Sequence, residues 1–355
     1  MSAEPAGKKP RISVLIPARN AGPYIDASLG SALRQSEPDL EVIVVINGSS
    51  DDTEDRLRRS ADPRLRIIAQ PVAGLAAALN TAILAARGDY IAFLDADDIW
   101  LPEKLARHLE AHERYPAIDA TFSWVQEIDA SGCVLRMPCP RRRGRVNFSS
   151  LLSDFTIRTM SAVVMKRTAA LEAGLLDPAL TRCEDVDLLL RVALLRPHNI
   201  LAIPLVLNFY RRHAAQHTAE WSRIHEGWNE LLEKMRGLAP VETARVERLA
   251  SSNMYRYFAF LAYAAGDFRQ ARELAVRSFA LSPGRFFLDA RNWKMGAAVL
   301  ASRIVPRGTL AALEYCAGFD RPVDRPVPEP TSLPATQTRT EHSRTTDSGF
   351  RAPAR

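Results

Sequence analysis

The sequence predicts an α/β fold in which a mostly parallel sheet carries helices on its faces, followed by an α-helical C-terminal region. Strand-length apolar runs alternate with helical patterns through the first third of the chain, which is typical of consecutive β–α units. The predicted strands are 12–16, 41–46, 65–69 and 90–94, and the helices include 24–34, 74–86 and 103–115. Asp51 and Glu54 have capping-box spacing for a further helix after the second strand.

The acidic stretch that follows strand 90–94 is the centre of the predicted site. Asp95, Asp97 and Asp98 lie at the carboxyl end of this strand, where open α/β sheets bind ligands. On an extended backbone, Asp95 and Asp97 would point to the same side. Two carboxylates suit Mg²⁺ or Mn²⁺ held jointly with a substrate diphosphate. Alternatively, the acids only cap a helix beginning at Pro102, a role that accounts for Asp98 but not for three charges beside an apolar strand.

A second acidic group follows later in the chain. Further strands are predicted at 120–128, 133–137, 161–165 and 200–210. Pro204 indicates that the last of these lies at a sheet edge. Glu184, Asp185 and Asp187 fall in the first turn of a helical pattern. Such acids either stabilise the helix dipole, by about 0.3–1 kcal/mol each, or present a general base at the helix N-terminus.

The predicted organisation is a disordered N-terminus at 1–10, an α/β domain at 11–216, a helical region at 217–319 and a disordered tail at 320–355. Within the helical region, 255–280 resembles one TPR-like hairpin, which is too short for a solenoid. We expect it to pack on the α/β domain or to bind a protein partner. Residues 286–304 mix basic and apolar side chains, as an interfacial membrane helix does, although an ordinary packing helix is the simpler interpretation.

The composition of the 355 residues is that of a globular protein, with 47% hydrophobic residues and a net charge of +6. The basic excess fits phosphorylated substrates or an anionic membrane surface. The arginine cluster at 141–145 has no interleaved aromatic residues, so no nucleic-acid partner is predicted. The four cysteines lack metal-site spacing, and no segment has the ~20 apolar residues of a spanning helix. We expect a cytoplasmic location, with peripheral contact to the inner face of the membrane left open.

The segments between Arg11 and His213 resemble a family 2 glycosyltransferase with the GT-A fold. They occur in the family's order: ISVLIPARN, EVIVVINGSSDDT, GLAAALNTAILAARGDYIAFLDADD with a DXD motif, GLLDPALTRCEDVDLLLRVA with an ED motif, and YRRH. Each segment alone is a weak signal, but five in register are specific. The resemblance implies a hexosyltransferase that moves a sugar from a nucleotide-sugar donor to a hydroxyl of a glycan or lipid-linked acceptor. The implied setting is polysaccharide or glycolipid biosynthesis.

The resemblance also implies roles for individual residues. Asp97 would bind the divalent metal, and Asp95 would contact the donor ribose or the waters of the metal. Asp185 would be the general base of an in-line, inverting attack. His213 lies near the place where related enzymes make a diphosphate or metal contact. The residues expected around the nucleotide are Pro17, Ala18, Arg19, Asn47 and Ala96.

One position departs from the family pattern. The second strand usually ends in two acids, the second of which reads the base, but here those positions are Ile46 and Asn47. An asparagine side chain can still accept a hydrogen bond from a uracil N–H, and it can also donate, whereas isoleucine can do neither. The usual uridine preference is therefore left open.

Two other functions share features with this sequence. A haloacid-dehalogenase-type phosphatase also has an apolar strand ending in DxD, but its first aspartate belongs near the start of the domain and is followed by small residues, not by Asp98-Ile99-Trp100. An inactive GT-A domain could instead serve as a scaffold, an interpretation that the change at Ile46 and Asn47 favours. The presence of both the DADD and ED motifs argues for the enzyme.

Overall fold

The computed structural model describes residues 9–70, 74–138, 142–154, 157–180, 182–213, 221–286 and 322–326. Its strands are β1 Ile12–Ala18, β2 Leu40–Asn47, β3 Leu65–Gln70, β4 Tyr90–Phe93, β5 Ile99–Trp100, β6 Ala120–Ile128, β7 Cys133–Pro138, β8 Gly144–Val146, β9 Val163–Lys166, β10 Ile200–Arg211 and β11 Pro322–Pro326. Its helices are α1 Ile25–Leu33, α2 Thr53–Arg58, α3 Leu75–Ala85, α4 Lys104–Arg114, α5 Phe148–Ser153, α6 Arg167–Glu172, α7 Glu184–Leu195, α8 Trp221–Leu238, α9 Pro240–Ala264, α10 Phe268–Leu281 and α11 Pro283–Phe286. A 3₁₀ turn, Met160–Ala162, precedes β9.

The first four strands of the sheet are parallel, as their alternation with helices predicts. Strand β1 pairs in parallel with β2 and β4, and β2 pairs with β3. Strand β9 is antiparallel to both β4 and β6, and β10 then runs parallel to β6. Because β1, β2 and β4 point the same way, their carboxyl ends meet at one edge of the sheet.

The central strands are buried on both faces because every position carries an apolar side chain or a satisfied polar one. In β1, Leu15 faces a core that includes α3, whereas Val14 and Ile16 face a second core that includes α1 and α4. Strand β2 divides its side chains in the same way, with Ile43 on the first side and Val44 on the second. Two covered faces are the arrangement expected for a parallel sheet, and they make its strands continuous hydrophobic runs.

The C-terminal helices continue the first of these cores. Trp228 and Leu231 of α8 and Phe258 of α9 are at most 1% exposed and belong to the same cluster as Phe93 of β4 and Leu188 of α7. The helical region therefore shares its apolar interior with the sheet.

Helices α9 and α10 form an antiparallel hairpin, as the sequence predicts. Ser278 donates to the Ser252 carbonyl oxygen at 2.7 Å, and Ser252 donates to the Ser278 carbonyl oxygen at 2.8 Å. Gly266 has φ +79° in the turn, and Asp267 caps α10 by accepting from the backbone N–H of Gln270. The likeness of this hairpin to a TPR unit stays a prediction.

The edge position predicted from Pro204 is wrong. Strand β10 pairs with β6 on one side, and on the other it pairs with β8 up to Ala202 and with β5 from Asn208. Pro204 lies in the gap between these two short partners, where its missing N–H leaves no ladder bond unmade. The register also shifts between Ile203 and Val206, which is the irregularity that a proline favours.

The predicted capping box of α2 is also absent. The N-cap residue is Asp52, whose side chain makes no capping bond. Asp51 instead accepts hydrogen bonds from the backbone N–H of Gly22 at 2.9 Å and of Thr53 at 3.2 Å. The acid that the local spacing assigns to a helix cap therefore joins the loop after β2 to the loop after β1.

Several predictions concern residues outside the described part of the chain. These are 1–8 of the N-terminus, 287–304 of the basic apolar segment, and the tail apart from β11. Strand β11 pairs antiparallel with β7, so the prediction of disorder does not hold for these five residues. Its prolines are tolerated because the strand lies at the end of the sheet order. Within the described residues, no helix combines the length and the apolar character that crossing a bilayer requires.

Candidate active site

The loops after β1 and β2 form one side of the candidate site. Pro17 is half-buried, Ala18 is buried and Arg19 is exposed at the end of β1. Asn20 then accepts from the backbone N–H of Ser50 at 2.8 Å and donates its own N–H to Ser49 Oγ at 3.1 Å. These bonds hold together the two loops that the sequence assigns to the nucleotide.

Asn47 and Ile46, at the end of β2, are both built into the fold. Ile46 is 4% exposed and packs in the core with α1. The side-chain oxygen of Asn47, a residue that is 5% exposed, accepts from the backbone N–H of Gly74 at 2.9 Å and so holds the start of α3. One acceptor position of the predicted base-reading side chain is therefore already used within the protein.

The acidic stretch after β4 forms a turn and not the extended backbone that would align its first two acids. The backbone N–H of Asp98 donates to the carbonyl oxygen of Asp95 at 3.1 Å, so the chain reverses across Ala96 and Asp97. The side chain of Ala96 is 8% exposed and packs in the core with α1 and α4. Only its backbone is therefore available to a nucleotide.

Asp95 is half-buried and held from three directions. Thr159 Oγ1 donates to its carboxylate at 2.8 Å, Ser161 Oγ accepts from its N–H at 2.9 Å, and Ser28 Oγ donates to its carbonyl oxygen at 3.1 Å. Burial, followed by the charge of Asp97, raises the pKa of Asp95 to about 6. Ionising the Asp95 carboxylate therefore costs free energy, and a bound cation or a ligand hydroxyl would offset that cost.

Asp98 is fully buried and does not cap a helix. Its carboxylate accepts from the backbone N–H of Arg211 at 2.9 Å and from Thr159 Oγ1 at 3.3 Å. Burial, with the charges of Asp97 and Asp95, raises its pKa well above the usual value. Helix α4 begins only at Lys104, with Glu103 as the N-cap residue. The third acid of the stretch therefore fastens the turn to the end of β10.

Asp97 and His213 form the pair best placed to hold a metal ion. His213 Nε2 lies 2.9 Å from the Asp97 carboxylate, and the side chains are 14% and 24% exposed, respectively. Tyr24 flanks the imidazole, with ring centroids 4.9 Å apart. Among the described residues, no three histidine, cysteine or acidic side chains gather into a site that could hold a metal ion. The donors present fit an ion that takes its remaining ligands from a substrate diphosphate and water, as Mg²⁺ commonly does.

Asp185 lies in the first turn of α7, close enough to the β4 turn for its charge to act on Asp95. It is the second residue of α7, and Cys183 before the helix has the left-handed φ of +62°. Burial raises the pKa of Asp185, and the Asp185 charge in turn contributes to the raised pKa of Asp95. Burial, and next the charge of Asp185, raises the pKa of Glu184 to about 7. Asp185 thus acts on Asp95, and Asp95 contributes to the raised pKa of Glu184, which indicates that the acids of α7 and of the β4 turn lie near one another.

Three residues of the site were missed by the sequence reasoning. Thr159 and Ser161 hold Asp95 from the segment before β9, and Arg211 spans the turn from the other side. Arg211 Nε donates to the carbonyl oxygen of Asp97 at 2.8 Å, while its guanidinium lies 5.0 Å from the ring of Tyr24. Arg211 belongs to the YRRH segment, but no local pattern indicates the contacts of these three residues, because their partners are 61 to 187 positions away in the chain.

Comparison with known proteins gives relatives among glycosyltransferases. The chain is 30% identical over 194 residues to the Escherichia coli UDP-Glc:alpha-D-GlcNAc-diphosphoundecaprenol beta-1,3-glucosyltransferase WfgD, a match that covers 54% of this chain and 72% of that protein. Matches to two further glycosyltransferase relatives, at 37% and 41% identity, span only 33% and 42% of their lengths.

Solved structures share the fold. Staphylococcus aureus TarS 1–349, in complex with UDP-GlcNAc, matches with a TM-score of 0.58 and 17% identity over 82% of this chain and 91% of that one. The mannosyltransferase PcManGT from Pyrobaculum calidifontis, in complex with GDP-Man and Mn²⁺, matches with a TM-score of 0.53 and 22% identity over 87% of this chain and 88% of that one. These likenesses confirm the predicted GT-A-type α/β architecture.

The sequence model described as glycosyl transferase family 2 matches residues 13–170. That stretch contains β1 to β4 and the acidic turn, and the match to the Escherichia coli relative is longer than this stretch. With this relative covered over more than two thirds of its length, the chain belongs to glycosyl transferase family 2.

Proposed function

We propose that the protein is an inverting, metal-dependent glycosyltransferase that moves a sugar from a nucleotide-diphosphate sugar to an acceptor hydroxyl. The observation that carries this proposal is that acids from two distant segments of the chain come close enough to act on each other electrostatically. Asp95 and Asp97 lie at the carboxyl edge of the parallel sheet, and Asp185 faces them closely enough to raise the pKa of Asp95. A diphosphate site and a proton acceptor on opposite sides are what a single in-line displacement needs.

The nucleotide loops and Asp185 have separate tasks in this mechanism. The loops after β1 and β2, with Pro17, Ala18, Arg19 and Asn47, bind and orient the nucleotide. Asp185 accepts the proton of the acceptor hydroxyl as that oxygen attacks the anomeric carbon. Its raised pKa brings it closer to the basicity that such a role requires near neutral pH. Attack from the side opposite the leaving diphosphate inverts the anomeric configuration.

The metal would be held by Asp97, with His213 or Asp95 beside it. A divalent cation at this place supplies stabilisation of the charge that develops on the departing diphosphate. Asp95 also suits a contact with the donor ribose, since its position is set by Thr159 and Ser161. The Mn²⁺ in the complex of the related PcManGT supports Mn²⁺ or Mg²⁺ as the cofactor.

The donor and the acceptor are proposed by class. UDP-GlcNAc and GDP-Man occur in the complexes of the two structural relatives, so both uridine and guanosine donors are candidates. The name of the Escherichia coli relative specifies a lipid-linked diphosphate acceptor, which supports a glycan or lipid-linked acceptor and a role in polysaccharide or glycolipid assembly. Peripheral membrane contact would follow from such an acceptor. A protein partner would be sought at α10, which exposes Val276 by 67% and Phe279 by 39%.

The first test is a thermal-shift panel of UDP-glucose, UDP-GlcNAc and GDP-mannose with MnCl₂. The second test measures the kinetics of the Asp185→Asn variant with the donor that binds. Ligand bound to the native state raises Tm, so at least one donor should do so only with metal. Asp185→Asn should lower kcat by about 10²–10⁴-fold while the donor-induced shift persists. Asp267→Asn is the matched control, because it alters an acid at the start of α10, where asparagine caps equally well.

The competing functions give different results in the same experiments. An inactive scaffold, which the structural use of Asn47 and Ile46 favours, would show no metal-dependent donor shift even before mutation. A phosphatase would form a phosphorylated Asp95, and its trapping would contradict the transferase. Against the phosphatase, Asp95 follows the fourth strand, and the chain belongs to a glycosyl transferase family.

A further inference from the structure

Helix α8 packs directly against the segment that leads into Asp185. At Gly227, a Cβ atom would lie 2.5 Å from the Cβ of Arg182 and 3.1 Å from its carbonyl oxygen. Real Cβ atoms essentially never approach that closely, so any larger residue at 227 would displace the backbone near residue 182. Because Arg182 is three positions before Asp185, the α8 backbone sets where the loop ends and α7 begins.

A second contact lies two turns along the same face of α8. Lys234 Nζ is 3.0 Å from the carboxylate of Asp187, which is fully buried, and 2.6 Å from the carboxylate of Asp177. Asp187 also accepts from Arg191 Nε at 3.0 Å within its own helix. Lys234 therefore joins α8 both to α7 and to the segment that precedes α7.

Anchoring Asp187 determines the direction of Asp185. Asp185 and Asp187 are two residues apart on α7, so their side chains point about 200° from each other around the helix axis. Lys234 of α8 contacts Asp187, so Asp185 lies on the side of α7 away from Lys234. The charge of Asp185 contributes to the raised pKa of Asp95 in the β4 turn. A rotation of α7 about its axis would therefore have two effects at once. It would break the contact between Lys234 and Asp187, and it would turn Asp185 away from the acceptor hydroxyl.

We propose that α8 positions Asp185 through Gly227 and Lys234, which makes the helical C-terminal region part of the catalytic arrangement. The inference rests on the proposed role of Asp185 as the general base. Gly227 and Lys234 are positioning residues, because they contact Arg182, Asp177 and Asp187 and act only through α7. Substituting them should displace Asp185 from the reacting hydroxyl and so lower kcat, while donor binding stays unchanged.

The test compares Lys234→Met with Lys234→Arg, which keeps the cation, and with Arg236→Met. Arg236 is the matched control on the same helix, since it pairs with Glu233 at the surface and with Glu247 of α9. The measurements are kcat and KM for release of nucleoside diphosphate from UDP-glucose, UDP-GlcNAc and GDP-mannose with MnCl₂. Hydrogen exchange of the amides from 182 to 190 gives a readout that does not depend on activity.

Lys234→Met should lower kcat about tenfold, since small misplacements of a reacting group are costly, leave donor KM nearly unchanged and speed exchange at 182–190. Lys234→Arg should restore most of the kcat, and Arg236→Met should resemble the wild type. If Lys234→Met does not fold, Gly227→Ala displaces the same segment while all ion pairs remain, and should give the same pattern.

Wild-type kcat and wild-type exchange in both Lys234→Met and Gly227→Ala would overturn the inference. So would an equal loss in Arg236→Met, or a rise in donor KM as large as the fall in kcat, because either result indicates general loosening. The proposed function fails separately: if Asp185→Asn keeps its kcat, there is no base to position. If Asp185→Asn is inactive while Lys234→Met and Gly227→Ala are both fully active, only the positioning role is wrong.

Discussion

At the scale of single residues, Asn47 has a structural bond in addition to its proposed place in the nucleotide pocket. Its oxygen accepts from the N–H of Gly74, and the residue is almost fully buried at the end of β2. In this family the position would carry an acid that reads the base, so the asparagine changes the group offered to the nucleotide. Because the side-chain oxygen of Asn47 accepts from the Gly74 N–H, an asparagine at this position still holds the start of α3.

Asn47→Ala should raise donor KM more than it lowers kcat, because a residue of the nucleotide pocket contributes mainly to ground-state binding. It should also destabilise the protein by about 1–3 kcal/mol, since the Gly74 N–H loses its acceptor. Steady-state kinetics and urea denaturation measure the two effects. Asn47→Asp, which keeps an acceptor oxygen, should retain stability. A large fall in kcat at unchanged KM would contradict the binding role.

At the scale of elements, the start of α7 brings two opposing effects to Asp185. The helix dipole favours a carboxylate in the first turn by about 0.3–1 kcal/mol at an exposed site. Burial opposes ionisation, and the pKa of Asp185 is raised, so burial is the larger effect. In the turn after β4, burial is likewise larger than the opposing effect of hydrogen bonds, since the pKa of both Asp95 and Asp98 is raised.

The raised pKa of Asp185 predicts the acid side of the pH–rate profile. A general base works only when it is deprotonated, so kcat should fall as pH is lowered through the pKa of Asp185, at a value above the 3.8 of an ordinary aspartate. The measurement is kcat from pH 4.5 to 8.5 at saturating donor, with Tm recorded at each pH to exclude unfolding. Full activity down to pH 4.5 in a folded protein would argue against Asp185 as the base.

At the scale of the whole molecule, the helical C-terminal region and the sheet share one apolar core. The boundary expected near residue 216 separates two patterns in the sequence, but the buried side chains on either side of it belong to one cluster. Five large side chains of α8 and α9 are at most 4% exposed there: Trp228, Leu231, Met235, Met254 and Phe258. Independent folding of the α/β part is therefore not expected.

A fragment of residues 1–216 should fail to fold cooperatively. Losing those five side chains removes on the order of 8–15 kcal/mol of apolar burial at about 1.5–3 kcal/mol each, which is comparable to the whole stability of an ordinary domain. Circular dichroism melting and binding of the dye ANS would show a broad transition and exposed apolar surface. A fragment of residues 1–286, which keeps α8 to α11, is the control and should melt as one unit.

Local sequence patterns are sufficient to predict the order of strands and helices, the parallel sheet and the acidic positions at its edge. These follow from local periodicity, because a buried strand and the turn after it each have a pattern that neighbouring residues carry. Asp95, Asp97 and Asp185 were found in this way and His213 through the family resemblance, although their chemical roles stay proposals.

How those acids are held depends on contacts that form only in the folded chain. Thr159, Ser161 and Arg211 bond the β4 turn from distant segments, and Asp98 takes a structural place that its spacing assigned to a cap. The same is true of Lys234, which reaches Asp187 across 47 positions. Contacts between segments far apart in the chain depend on how strands pair and helices pack, and no run of neighbouring residues records them.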